Sequence, residues 1–223
     1  YVRGGGMACY SSTSIVVRTV IRDNSSPAPA SQGISPAGVG VYLYYGAAEF
    51  RNSLLVTNRH GSSQIIPGVG LYNDGAVARL LHCTIADNAT QGVYRASGAI
   101  AITNSILWNN NDDLVGITSN VGYSCIKDGD FLAQNGCTNA DPLFVDLLYY
   151  HVKSVAGNYV GGYFNGGTWG SSSSNSPCID AGDPVLDRIN EPKPGTAPNL
   201  GAYGNTEVAS RSPSAIGAIF TFY

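Results

Sequence analysis

Four times within its first 110 residues the chain sets a glycine and an apolar residue eighteen positions ahead of an asparagine that closes a strand-like run. The blocks run from Gly6-Met7 to Asn24, Gly40-Val41 to Asn58, Gly70-Leu71 to Asn88 and Gly92-Val93 to Asn110. Between one asparagine and the next glycine the spacer shrinks from fifteen residues to eleven to three, so the block is fixed while one connection varies. A fixed unit with a single variable joint is the pattern of a solenoid.

Aligned on the asparagine, the blocks end Thr19-Val20-Ile21-Arg22-Asp23-Asn24, Ser53-Leu54-Leu55-Val56-Thr57-Asn58, Cys83-Thr84-Ile85-Ala86-Asp87-Asn88 and Ser105-Ile106-Leu107-Trp108-Asn109-Asn110. Each column keeps its chemistry. The tightest spacing, Gly70 to Gly92, is 22 residues, which fits one turn of a right-handed parallel β-helix, and the longer blocks insert twelve and eight residues at one corner. The short strands of one coil have no partner within it, so each must pair in parallel with the coils on either side, ~4.8 Å away. Equivalent positions then stack: Met7, Val41, Leu71 and Val93 predict one inward column, and Val16, Phe50, Leu80 and Ile102 another. The repeated asparagine has two readings, a left-handed corner residue or an inward ladder of amides.

These spacings predict an all-β chain of about five coils over residues 1–140, an irregular C-terminal capping module over 141–212 and a terminal β-prone strand over 213–223. Charged residues are only 12%, whereas Gly (28) and Tyr (14) are plentiful, which suits turns and stacked strands. A net charge of -3 without a basic cluster argues against nucleic acid or an anionic membrane surface as partner. No span reaches the ~18 apolar residues of a membrane helix. The chain opens on Tyr1-Val2-Arg3-Gly4-Gly5 and so reads as a processed or excerpted product. Its five cysteines fit buried structural thiols, with a Cys125–Cys137 bridge across a short loop as the alternative.

Candidate chemistry is sparse. Tyr42, Tyr72 and Tyr94 share a column just after the glycine and could offer stacked rings to a sugar. The two corner insertions, the second of which carries His60, should lie side by side on one rim, and loops on a rigid scaffold are where ligands are met. Asp180, Asp183 and Asp187, with Glu191, concentrate carboxylates in a charge-poor chain and are the candidate calcium ligands; no other cofactor is indicated. Asp23 and Asp87 share a column but lie two coils apart, ~9.6 Å, with Thr57 between. Asp112 and Asp113 are adjacent, which on an extended chain sends them to opposite faces. His82 falls in a column with Arg18, Asn52 and Asn104, as a corner residue would.

The run Asn104-Ser105-Ile106-Leu107-Trp108-Asn109-Asn110, then Tyr123-Ser124-Cys125-Ile126, then Asn139-Ala140-Asp141-Pro142-Leu143-Phe144-Val145-Asp146, resembles the closing coils of bacterial right-handed parallel β-helix repeat proteins of the cell surface. Ser176-Pro177-Cys178-Ile179-Asp180-Ala181-Gly182-Asp183-Pro184 and Asn199-Leu200-Gly201-Ala202-Tyr203-Gly204-Asn205-Thr206 look like the terminal module that often follows such coils. The resemblance spans residues 1–212 and implies a fold and an extracellular setting, not a reaction, because the scaffold carries lyases, glycosidases, adhesins and inert surface proteins. The expectation is a non-catalytic structural or adhesive surface element. It would assemble head to tail with copies of itself through Ile216, Ile219, Phe220, Phe222 and Tyr223, or bind surface glycans. A polysaccharide lyase or glycosidase and a carbohydrate-binding module are the alternatives.

Overall fold

The computed structural model describes residues 4–26, 37–61 and 67–213. Among these there are fifteen strands and no helix: β1 (Met7–Val17), β2 (Val20–Arg22), β3 (Ser25–Ser26), β4 (Val41–Val56), β5 (Arg59–His60), β6 (Leu71–Asp74), β7 (Val77–Ala86), β8 (Gln91–Arg95), β9 (Ala99–Thr103), β10 (Ile106–Trp108), β11 (Asp112–Val115), β12 (Val121–Gly122), β13 (Cys125–Ile126), β14 (Asn158–Val160) and β15 (Thr168–Gly170). Eleven of them form one parallel sheet that curls into a half-barrel. The chain is therefore all-β.

The pairing follows the eighteen-residue blocks. Met7 pairs with Val41, Val41 with Leu71 and Leu71 with Val93, while Val16 pairs with Phe50, Phe50 with Leu80 and Leu80 with Ile102. Both expected columns exist, and apart from Met7 all their members are buried. Three rows of strands result: β1–β4–β6–β8–β11, β1–β4–β7–β9–β12 and β2–β4–β7–β10–β13. The sixteen residues of β4 serve all three rows because the strand turns corners without losing its partners. Tyr45 (φ 52°), Gly46 (φ 77°) and Asn52 (φ 48°) are left-handed within it.

Corners stack as strictly as strands do. Arg18, Asn52, His82, Asn104 and Tyr123 all have φ between 46° and 51°, and Asp23, Thr57, Asp87 and Asn109 lie between 54° and 59°. The left-handed residue is thus the one before the repeated asparagine, not the asparagine itself. That leaves the amide free to make a ladder. Asn24 Nδ2 donates to Asn58 Oδ1, Asn58 Nδ2 to Asn88 Oδ1 and Asn88 Nδ2 to Asn110 Oδ1, each at 2.9 Å. The backbone N–H of each of these donors reaches the same oxygen at 3.1–3.2 Å. The second amide hydrogen returns to the preceding level, from Asn58 to Ile21 O, Asn88 to Leu55 O and Asn110 to Ile85 O. Asp113 ends the series, with Oδ1 2.8 Å from Asn110 Nδ2 and Oδ2 2.9 Å from Lys127 N.

The eighteen-residue spacing brings each glycine of the block against its asparagine. A Cβ on Gly6 would stand 2.6 Å from Asn24 Nδ2, one on Gly40 2.9 Å from Asn58 Nδ2, and one on Gly92 2.7 Å from Asn110 Nδ2. On Gly70 it would meet Asn88 Nδ2 at 3.1 Å and Gly92 O at 2.3 Å. A second ladder runs beside the first: Ser53, Ser105 and Ser124 hydroxyls accept from Thr19 N, Cys83 N and Ser105 N.

Residues 141–213 lie along the flank of the sheet rather than within its rows. Tyr150, Tyr159, Ala202, Tyr203 and Val208 pack on Leu54, Val56 and Ala86, and Val152, Cys178 and Leu200 pack on Ile106 and Cys125. Glycines allow this close approach: a Cβ at Gly201 would meet Ile106 at 2.8 Å, and one at Gly204 would meet His82 Nδ1 at 2.5 Å. Asn52 Nδ2 donates to Ala202 O and Gly204 O, and Ala202 N to Thr84 Oγ1. The segment thereby straps several levels of chain together.

Asn88→Ala would strip Asn58 of an acceptor for two N–H groups, and equilibrium urea unfolding is expected to show a loss of about 2–4 kcal/mol. Gly70→Ala forces a backbone shift between two levels and is expected to cost about 1–3 kcal/mol. Exposed Ala89→Ser, next in the chain to Asn88, should stay within about 0.5 kcal/mol of the parent.

Candidate functional site

The corner column that precedes the asparagines faces outward, and the flanking segment rises beside it. Together they form a groove of about 580 Å³ lined by Arg22, Asp23, Thr57, Arg59, Asp87, Ala89, Asn109, Leu147 and Tyr150. Asp23, Thr57, Asp87 and Asn109 are successive members of the left-handed column. Because stacked corners lie one strand spacing apart, the floor repeats a polar group about every 4.8 Å. Leu147 and Tyr150 supply the far wall, and Arg59, from β5, stands at the other side.

The polar groups of the groove are held in set positions. Arg22 Nε bonds Asp23 Oδ2 at 2.6 Å, and its Nη1 reaches Leu148 O at 3.1 Å and the Tyr163 hydroxyl. The Thr57 hydroxyl and then the Arg22 guanidinium hold the Asp23 carboxyl below its ordinary value. Asp87 accepts from the Tyr150 hydroxyl at 2.7 Å and from Asn109 Nδ2. Burial, reinforced by Asp87, pushes the Tyr150 hydroxyl up, so it stays protonated and donates. Lys127 Nζ donates to Asn109 Oδ1 at 2.7 Å. Neither carboxyl is arranged as a general acid, since Asp23 is biased toward its charged form and both oxygens of Asp87 are occupied. The arrangement instead offers fixed donors and acceptors to a polar ligand.

The other expected site residues are differently placed. Tyr42, Tyr72 and Tyr94 do stack, with centroids 5.6 and 5.1 Å apart and planes within 8°. Tyr42 is fully buried, its hydroxyl reaching Asp74 Oδ2 at 3.3 Å, and the rings give their faces to one another. His60 pairs through β5 with Ser26 of β3, so the described roots of both insertions do lie side by side. The insertions' remaining residues, 27–36 and 62–66, and the assembly residues Ile216, Ile219, Phe220, Phe222 and Tyr223 lie outside the described residues.

Asp180, Asp183 and Asp187 are not drawn together. Asp180 Oδ1 accepts from the Ser212 hydroxyl at 2.7 Å, and Asp183 Oδ1 from Val185 N at 3.1 Å in a turn. Among the described residues the carboxylates that do converge are those of Asp112, Asp128 and Asp130, within 4.8 Å of one another. Desolvation and then the Asp128 charge raise the carboxyls of Asp112 and Asp130. An all-oxygen set of this kind suits a hard cation such as Ca²⁺. Asp113, next in chain to Asp112, turns inward to the ladder, as alternation requires.

Nucleophiles and bases are muted by burial. Desolvation lowers His82 and His151 to about 4, leaving both neutral, and pushes the Cys83 thiol up to about 12. All five cysteines are buried free thiols, and the alternative Cys125–Cys137 bridge is ruled out by side-chain alternation: Thr138 is the register partner of Cys125, so Cys137 points to the opposite face. Cys137 sits in the inner core, whereas Cys125 faces the flanking segment.

Glu191 is 4% exposed, and Oε1 accepts from Asn199 N and Asn205 N at 2.8 Å. Desolvation raises its carboxyl from 4.5 to about 7. Between those values the folded chain holds a proton that the unfolded chain has released, so this group's contribution is lost as pH rises through that window. Glu191→Gln should abolish the effect. Relative to the variant, the parent is expected to lose about 2–3 kcal/mol between pH 4.5 and 7.5 in denaturant titrations at stepped pH.

In sequence and in structure the chain matches no known protein family, no curated protein and no solved structure.

Proposed function

We propose that the chain is a non-catalytic extracellular surface element, a right-handed parallel β-helix whose coils are structural and whose corner groove is adhesive, binding surface glycans. The observation that carries this reading is the groove's composition. Two carboxyls, a hydroxyl and an amide stand at regular spacing along the stacked corners, with two guanidinium groups and the Tyr150 hydroxyl beside them, which suits the repeated hydroxyls of an extended saccharide. Right-handed winding is the hand that parallel crossovers adopt in nearly all cases. Against a lyase or glycosidase stand the separate partners of Asp23, Asp74, Asp87 and Asp113 and the occupation of both Asp87 oxygens by Tyr150 and Asn109; of these acids only Asp112 joins a carboxylate cluster, with Asp128 and Asp130.

Head-to-tail assembly has its own support. Among the described residues β1 pairs only with β4, so one edge of an eleven-residue strand has no strand beside it, and Tyr10, Ile15 and Val17 are exposed along it. Such an edge accepts an added strand, and contacts of that heterologous kind propagate into filaments.

A glycan array should show retention of acidic or neutral polysaccharides, reduced at least tenfold by Arg59→Ala or Asp87→Asn and unaffected by Tyr72→Leu. No retention at all, or equal retention by all three variants, would refute the groove. Size-exclusion chromatography before and after deletion of residues 214–223 tests assembly: the expected result is a polymer that becomes a monomer, and a monomer in both cases rejects it.

A further inference from the structure

Of the five cysteines, Cys9, Cys83 and Cys137 belong to the inner core, while Cys125 and Cys178 share a separate cluster with Ile106, Val152 and Leu200 on the flank. Cys125 is in β13, the last strand of its row, and Cys178 is in the flanking segment. Both residues are fully buried in that one cluster, where Cys125 Sγ donates to Ala140 O at 3.1 Å and the Cys178 thiol is the neighbour that acts most strongly on it. Each backbone is pinned: Cys125 N donates to Ser105 O at 2.9 Å, while Cys178 N donates to the Ser176 hydroxyl at 3.0 Å and Cys178 O accepts from Leu200 N at 2.9 Å. Two thiols of one small buried cluster, carried on two separately anchored backbones, are placed for a bond across that cluster.

We propose that Cys125 and Cys178 are a disulfide site that locks the flanking segment covalently onto the last level of the sheet. The oxidant is a small-molecule disulfide of the glutathione type. One protein thiolate attacks it, forming a mixed disulfide and releasing one thiol. The second protein thiolate then attacks the protein sulfur of that mixed disulfide, forming the Cys125–Cys178 bond and releasing the second thiol. Two protein thiols and one disulfide thus become one protein disulfide and two thiols, and the two protons end on the released thiols. Contact with Cys178 and burial both raise the Cys125 thiol, which disfavours thiolate in the closed fold. The exchange therefore occurs as the segment docks, before the sulfurs are sealed from solvent. The link closes a loop of 52 intervening residues, long enough for a large loss of unfolded-state entropy.

The test is refolding of the full chain in a glutathione redox buffer, trapping of free thiols after denaturation, and a non-reducing peptide map. The expected map holds one cross-linked pair containing Cys125 and Cys178, with Cys9, Cys83 and Cys137 alkylated. Five alkylated cysteines, or a link to any other cysteine, would overturn the proposal. The oxidised chain should melt about 5–15 °C above the reduced chain, and Cys178→Ser should melt with the reduced parent under both conditions. A cross-linked chain with an unchanged melting temperature would overturn the locking role. If the variant does not fold, the parent's peptide map and melting shift decide by themselves.

Discussion

The amide ladder sets the terms for the rest of the molecule. An asparagine side chain has two donors and an acceptor, and here Asn58 and Asn88 each use all three, one donor to the next level, one to the last and the oxygen shared between a backbone and a side-chain N–H. Such a buried network holds its levels at one register, because a slip by one residue would leave several polar groups without partners. The glycine eighteen residues earlier follows from it, since no Cβ fits against the amide. Left-handed geometry at the preceding residue follows too, because that corner aims the amide inward. Strand rows, core columns and stacked corners are consequences of one repeated contact.

What the repeat does not supply is a surface with any individuality. Stacking places equivalent groups above one another, and in most columns those groups are occupied by their neighbours. The flanking segment breaks that uniformity. It crosses the rows, brings Leu147 and Tyr150 beside the corner column, and converts a periodic polar stripe into a groove with two walls. Its glycines, Gly201 and Gly204, are the points where it comes near enough to bond the corners and the sheet. Scaffold and site are therefore separable in origin: one belongs to the repeat, the other to its junction with a non-repeating segment.

That division explains what could be read from the sequence. Both core columns, the stacking of the tyrosines and the neighbouring roots of the insertions were legible, since each depends only on position within the block. The asparagine was legible as important but not in its role, because the choice between corner and ladder rests on φ, which a side-chain identity constrains only weakly. The groove was half visible. Asp23, Thr57, Asp87 and Asn109 form a readable column, whereas Tyr150 and Leu147 come from a segment with no periodicity to align. The same blindness affected the cysteines in part: their burial was legible, whereas the alternative of a bridge to Cys137, suggested by a short sequence separation, is excluded by alternation along the strand. It also affected the acids, since Asp128 and Asp130 join Asp112 through an irregular turn while the denser run near Asp180 is spread by its own turns.

The ladder also has a sense. One hydrogen of every amide points the same way, from Asn24 toward Asn110 and on to the Asp113 carboxyl, while the second hydrogen of Asn58, Asn88 and Asn110 returns to the preceding level. The aligned dipoles of the four amides thus point at the buried Asp113 carboxyl, an orientation that works against the desolvation that raises it. Asp113 in turn ends the side-chain part of the ladder, and only its backbone N–H goes on, donating to Asp128 Oδ2 at 2.8 Å. At the opposite end Asn24 has the same form as its three successors, and another level there would donate into its oxygen just as Asn24 donates into Asn58. The two ends of the series are therefore chemically unlike, one offering an amide oxygen and the other a carboxyl.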